Sequence, residues 1–94
     1  MENAVKVFKA LSNETRLEII KLLSERSLCV NALVNKTGMS QPAISQHLSI
    51  LENAGLVVGA KKGYWVHYEL VPQRLQECAN LILELKSREV EDNV

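Results

Sequence analysis

The chain has 94 residues, with 11 basic and 11 acidic side chains and a formal net charge of zero. That length fits one domain and excludes two, and a lone protomer buries only about 60–65% of its unfolded surface, which favours a dimer. An apolar content of 47% excludes wholesale disorder, and the balanced charge does not itself point to a polyanionic partner, so charge distribution decides.

Residues 3–11 are predicted to form a short helix with Val5, Phe8 and Leu11 or Val7 facing inward. Ser12 or Asn13 then caps a second helix, although Ser12-Asn13-Glu14-Thr15 gives only half of a capping box. Leu17, Ile19, Ile20 and Leu23 form its apolar stripe, which ends near Ser24–Ser27. Leu28 to Lys36 are predicted as a third helix carrying Val30, Leu33 and Val34. Gly38 suits the left-handed position past its end. Ser40 is an N-cap residue type, and Pro42 sits in the first turn, where its missing N–H costs nothing. The fourth helix runs to about Ala54, where Gly55 stops it.

After Gly55 the apolar period changes from helical to alternating. Leu56–Ala60 is strand-like, Lys61-Lys62-Gly63 is a turn, and Tyr64–Leu70 alternates with Val66, Tyr68 and Leu70 on one face. Two such runs around a short Gly-containing turn predict a hairpin. Pro72 opens a last helix, predicted over 72–90, with Leu75, Cys78, Ala79, Ile82 and Leu85 along one side; the acidic tail from Glu89 is expected to fray. The expected fold is mainly α with a small β-hairpin, in the order ααααββα. Residues 28–54 would form a helix-turn-helix and residues 56–70 its wing.

The stretch SQPAISQHLSIL at 40–51 carries the function. Ile44, Leu48 and Leu51 have the spacing of one buried helix face, while the rest is rich in Ser and Gln and carries no fixed charge. The second helix of a helix-turn-helix enters the major groove, where base edges offer donors and acceptors. Gln can pair bidentately with adenine, and Ser can serve several bases. Gln41, Ser45 and Ser49 repeat every four residues along one strip, with Gln46 beside it. The N–H groups near Ser40 and Gln41 can hold a phosphate. The plainer reading is a polar surface helix, but Ser costs stability in helix interiors, and the flanking turn and hairpin favour a reading face.

The segments FKALSNETRLEIIKLL (8–23), LCVNAL (28–33), MSQPAISQHLSILENAGLV (39–57) and KKGYWVHYEL (61–70) resemble the ArsR/SmtB family of winged-helix repressors. The resemblance covers most of residues 4–75; the last helix matches in position only. It implies a homodimer that binds an imperfect palindrome in double-stranded promoter DNA and releases it on binding an inducer. It places Ser45, Gln46 and His47 in the recognition helix and the Lys61/Lys62 turn at the wing tip. These two lysines can neutralise phosphates, and a solubilising turn is the plainer alternative. Trp65 and Tyr68 read as hairpin packing and His67 as a strand surface residue. His47 contacts either a phosphate or an internal partner. The apolar stripes of the first and last helices point to a dimer interface that includes Val5, Phe8, Leu75, Ala79 and Ile82.

The family's metal chemistry does not carry over. One of its metalloid sites reads Cys-Val-Cys at the start of the third helix; this chain reads Cys29-Val30-Asn31, and one thiolate beside an amide is a poor soft-metal site. Another uses Asp and His along the last helix, which has neither between Pro72 and Glu89. No metal and no cofactor is therefore expected. Cys29 stays a candidate redox thiol because it begins a helix, the alternative being an ordinary half-buried residue. Cys78 reads as helix packing, and the sequence gives no distance between the two cysteines. Two cysteines without a secretory leader make no disulfide framework, and no apolar run approaches the roughly 20 residues of a membrane span. A cytoplasmic protein without a membrane partner follows as the expectation. The competing reading is a winged-helix module for protein contact alone. An enzyme is not expected, since no nucleophile–base pattern or phosphate loop is present.

Overall fold

The computed structural model describes residues 1–87, so the predicted end of the last helix at 88–90 and the acidic tail lie outside the described residues. Its elements are α1 (Glu2–Leu11), α2 (Glu14–Leu23), β1 (Leu28–Cys29), α3 (Val30–Thr37), α4 (Gln41–Asn53), β2 (Val57–Lys62), β3 (Trp65–Leu70) and α5 (Pro72–Ser87). The order is four helices, a hairpin and a helix, with one short strand added before α3.

The helix boundaries have local causes. Asn13, not Ser12, caps α2, its side chain accepting from the Arg16 N–H at 3.0 Å. Ser40 caps α4, accepting from the Ala43 N–H at 3.3 Å. Gly38 closes α3 at φ 74°, a left-handed position that suits glycine. Gly55 ends α4 at φ 77°, and a Cβ there would stand 3.2 Å from Arg74 Nε on α5, so both backbone and space require glycine.

The core gathers Val7 from α1, Ile19, Ile20 and Leu23 from α2, Leu33 from α3, and Ile44, Leu48 and Leu51 from α4. Leu56 and Val57 close it below, and Cys78 brings α5 against α1, its Sγ 4.0 Å from the Ala4 carbonyl. Several inward assignments are corrected. On α1 the buried residues are Val7 and Ala10, whereas Val5 and Phe8 face out of the protomer. Leu17 is also exposed, because the stripe on α2 turns about Ile19, Ile20 and Leu23. Val66 is exposed on the hairpin.

The sheet has the order β1-β3-β2, all antiparallel. Val57 pairs with Leu70 at its base and Lys62 with Trp65 near its tip. Gly59 pairs with Tyr68, and a Cβ at Gly59 would meet Val66 at 3.2 Å and the Tyr68 ring at 3.4 Å. Two sequence-based boundaries move. Leu28 and Cys29, expected in the third helix, are a strand paired with Tyr68 and His67 of β3. The helix-turn-helix is therefore 30–53 and not 28–54. Lys61 and Lys62, expected in the turn, are the last residues of β2; Gly63, at φ 65°, and Tyr64 make the turn.

Candidate nucleic-acid interface

α4 stands on its apolar face. Ile44, Leu48 and Leu51 are each at most 1% exposed, so the helix cannot roll without breaking the core. The opposite side carries the predicted strip. Gln41, Gln46 and Ser49 are exposed and Ser45 is half-buried. Gln41 Nε2 donates to Ser45 Oγ at 3.0 Å, which puts both on one strip and makes them a joined donor–acceptor unit. Ser40 is exposed at the start of the helix, with its side chain turned into the cap. The predicted reading residues are thus brought together on one helix face, with His47 set apart from them.

His47 is half-buried and faces inward along the chain's own surface. Its Nδ1 lies 3.3 Å from Arg16 Nη1 on α2. Burial, and after it the charge of Arg16, holds the imidazole below its usual value of 6.5. Of the two options read from sequence, the internal partner is the one seen. The sequence pattern alone gives Arg16 no partner. The signal available was a cation at the third position of α2, the positive end of the helix dipole, where a charge of that sign needs compensation.

The wing reaches out beside α4. Lys61, Lys62, Tyr64, Trp65 and Val66 are all exposed, Tyr64 completely so. Lys62 Nζ lies 3.4 Å from Glu69 Oε1 across the hairpin, with both side chains about half exposed, so the contact is weak and leaves Lys62 available to a stronger anion. Lys61 is not in that pair. Trp65 is more exposed than a packing residue would be.

Cys29 is the N-cap residue of α3 and is half-buried; its side chain makes no cap hydrogen bond. It lines a shallow cleft of about 180 Å³ with Val30, Asn31, Tyr64, Trp65 and Val66. Cys78 is buried, and both thiols are free. Among the described residues, no three His, Cys, Asp or Glu side chains stand together where they could hold a metal ion.

A helix-turn-helix whose second helix bares an uncharged hydrogen-bonding strip, followed at once by a lysine-bearing hairpin, defines a winged helix-turn-helix DNA-binding domain. Comparison with known proteins bears this out. Residues 13–58 match the model of the bacterial regulatory protein, arsR family. The chain is 44% identical over 85 residues to an HTH-type transcriptional regulator of Methanocaldococcus jannaschii, covering 89% of this chain and 96% of that one. It is 46% identical over 81 residues to the arsenical resistance operon repressor of Escherichia coli K12, covering 85% of this chain and 69% of that one. Among solved structures, an ArsR-like transcriptional regulator from Rhodococcus sp. RHA1 superimposes with a TM-score of 0.84 at 30% identity, covering 92% of this chain and 81% of that one. The homodimeric winged helix-turn-helix domain Mb0332 of Mycobacterium bovis does so with a TM-score of 0.76 at 26% identity, covering 96% of this chain and 88% of that one. The chain belongs to the ArsR family. It is a DNA-binding transcriptional repressor and not an enzyme, which sets aside the module for protein contact alone.

Proposed function

We propose that the protein represses as a homodimer bound to an imperfect palindrome in promoter DNA. The strip of Gln41, Ser45, Gln46 and Ser49 would read base edges, and Lys61 and Lys62 would contact phosphates. The observation that carries this reading is the uncharged hydrogen-bonding face of α4, fixed by a buried apolar face behind it. The dimer reading is supported by the large apolar side chains left exposed on two packed helices: Val5 and Phe8 on α1, and Ile82, Leu83 and Leu85 on α5. Such a cluster on a small domain marks an interaction surface. Leu75 packs partly on the protomer's own core and Ala79 is exposed beside Ile82, so both border the same surface. A two-fold dimer would set its α4 helices about 34 Å apart, one turn of DNA.

The functional division is then one domain, with α1 and α5 for assembly, 30–53 for reading and 57–70 for the wing. A cytoplasmic location goes with this reading; among the described residues no helix is long and apolar enough to cross a membrane. For the inducer, Asn31 in place of a second thiol argues against soft-metal capture at α3; Cys29 reads first as an ordinary half-buried residue, and if an inducer acts directly on the chain, oxidation of the Cys29 thiol by a peroxide is the expected chemistry.

The test is a sedimentation and DNA-binding series. The native chain should sediment as a dimer and select palindromic duplexes from a random pool. Ile82→Glu should sediment as a monomer, because its charge would have no partner in an apolar contact. An Ile82→Glu chain that stays dimeric and binds normally would place the interface elsewhere.

A further inference from the structure

Arg16 makes a joint between three helices. From the first turn of α2 its Nε donates to the Ala10 carbonyl and its Nη2 to the Lys9 carbonyl at 3.5 Å, both at the open C-terminal end of α1. Its Nη1 reaches His47 Nδ1 on α4. The negative end of α1 thus compensates a cation that the start of α2 disfavours. A guanidinium can only donate, so Nδ1 must accept and the imidazole proton must sit on Nε2. The geometry selects both a neutral ring and one tautomer. A second proton on Nδ1 would remove the acceptor and set one cation against another.

We propose that Arg16 is a positioning residue that ties the reading helix α4 to the end of α1 through His47 Nδ1, so that sequence-specific DNA binding weakens when His47 takes up a proton. This rests on the reading of α4 as the recognition helix and α1 as part of the dimer interface. In such a dimer the joint links an interface helix, α1, to the reading helix, α4, so loosening it disturbs how the two α4 helices present to DNA. Burial and Arg16 both disfavour the proton. The elements packed against α4 carry Glu2, Lys6 and Lys9 on α1, Glu14, Arg16, Glu18 and Lys21 on α2, Lys36 on α3 and Lys61 and Lys62 on β2; of these and of Glu52 on α4 itself, Arg16 is the one whose charge bears on the ring.

The experiment follows binding to two probes at constant ionic strength, from about pH 7.5 to about pH 4.5, a range that spans the ordinary histidine titration and continues below it because His47 takes its proton at lower pH. One probe is the tightest duplex that the native chain selects from a random pool; the other is an unselected random duplex. Sedimentation and circular dichroism at each pH confirm that the dimer and fold persist. Native affinity for the selected duplex should fall by about threefold or more on acidification, while random-duplex affinity holds or rises. His47→Gln, which offers an acceptor that cannot titrate, should lose the acid-dependent fall whatever its affinity at neutral pH. His67→Gln should keep it. Arg16→Gln should bind the selected duplex roughly tenfold more weakly at neutral pH, as expected for losing a charged hydrogen bond. A flat or rising native profile, or the same fall in His47→Gln, overturns the inference; a rise would mean that His47 meets a phosphate directly. Failure of the native chain to select any duplex would sink the operator reading and this inference with it.

Discussion

α4 and the wing both face outward, yet they are held in opposite ways. α4 is pinned by three fully buried side chains, a Ser40 cap and the contact of His47 with Arg16. The wing tip carries Tyr64, Trp65 and Val66 in solvent, and the side-chain contact recorded across it is the exposed Lys62–Glu69 pair. A helix that must match donors to base edges needs a fixed orientation. A hairpin that neutralises phosphates needs only charge and reach, because phosphate contacts carry no sequence.

That contrast is open to direct attack. The largest expected effect is on stability. Leu48→Ala, at a residue 1% exposed, should cost about 2–5 kcal/mol, whereas Val66→Ala on the wing should stay within about 0.5 kcal/mol. Denaturant melts of the two variants would check this, and equal losses would erase the distinction. Next comes specificity. Gln46→Ala should weaken selected-duplex binding by about 1–3 kcal/mol and leave random-duplex binding nearly unchanged. Equal loss on both probes would move Gln46 to the backbone-contacting class. Ser40→Ala should cost about 1 kcal/mol of stability through the lost cap, seen as a lower melting midpoint.

A smaller change is expected at the wing. Replacing Lys61 and Lys62 together by Ala should flatten the salt dependence of binding by roughly one to two phosphate equivalents, toward the lower figure if Glu69 competes for Lys62. An unchanged slope would mean that the hairpin tip does not touch DNA. The smallest effect is the acid dependence of folding. The His47 imidazole titrates lower in the folded chain than in the unfolded one. Its contribution is therefore fully present above about pH 6.5 and is lost as pH falls below that toward the folded value. Stability of native and His47→Gln chains should converge in shape above that point and part below it.

Much of this was legible in the sequence because local rules and packing agree. The Ile44/Leu48/Leu51 stripe, the Ser40 cap, Gly38 and Gly55 each announce themselves within a few residues. What was not legible depends on distant partners. Leu28-Cys29 reads as the start of a helix, and only Tyr68 and His67, some forty positions later, make it a strand. Val5 and Phe8 satisfy a helical stripe as well as Val7 does, and which side faces the core is decided by α5 and α4. The polar strip of α4 was visible as composition; the Arg16–His47 joint behind it was not, since it spans 31 positions, and a cation in the first turn of α2 asks for compensation without naming its partner.

The sheet order bears on how copies of this chain can meet. An open strand edge is a template for further strands and hence for aggregation. Here β3 lies in the middle. One edge is β1, only two residues long, and the other is β2, which ends in Lys61 and Lys62. A two-residue edge offers too little backbone to recruit a neighbour, and paired lysines repel a second copy of themselves. Growth by sheet extension is thereby blunted on both sides, which leaves the exposed apolar face of α1 and α5, proposed above as the dimer contact, as the surface through which copies would meet.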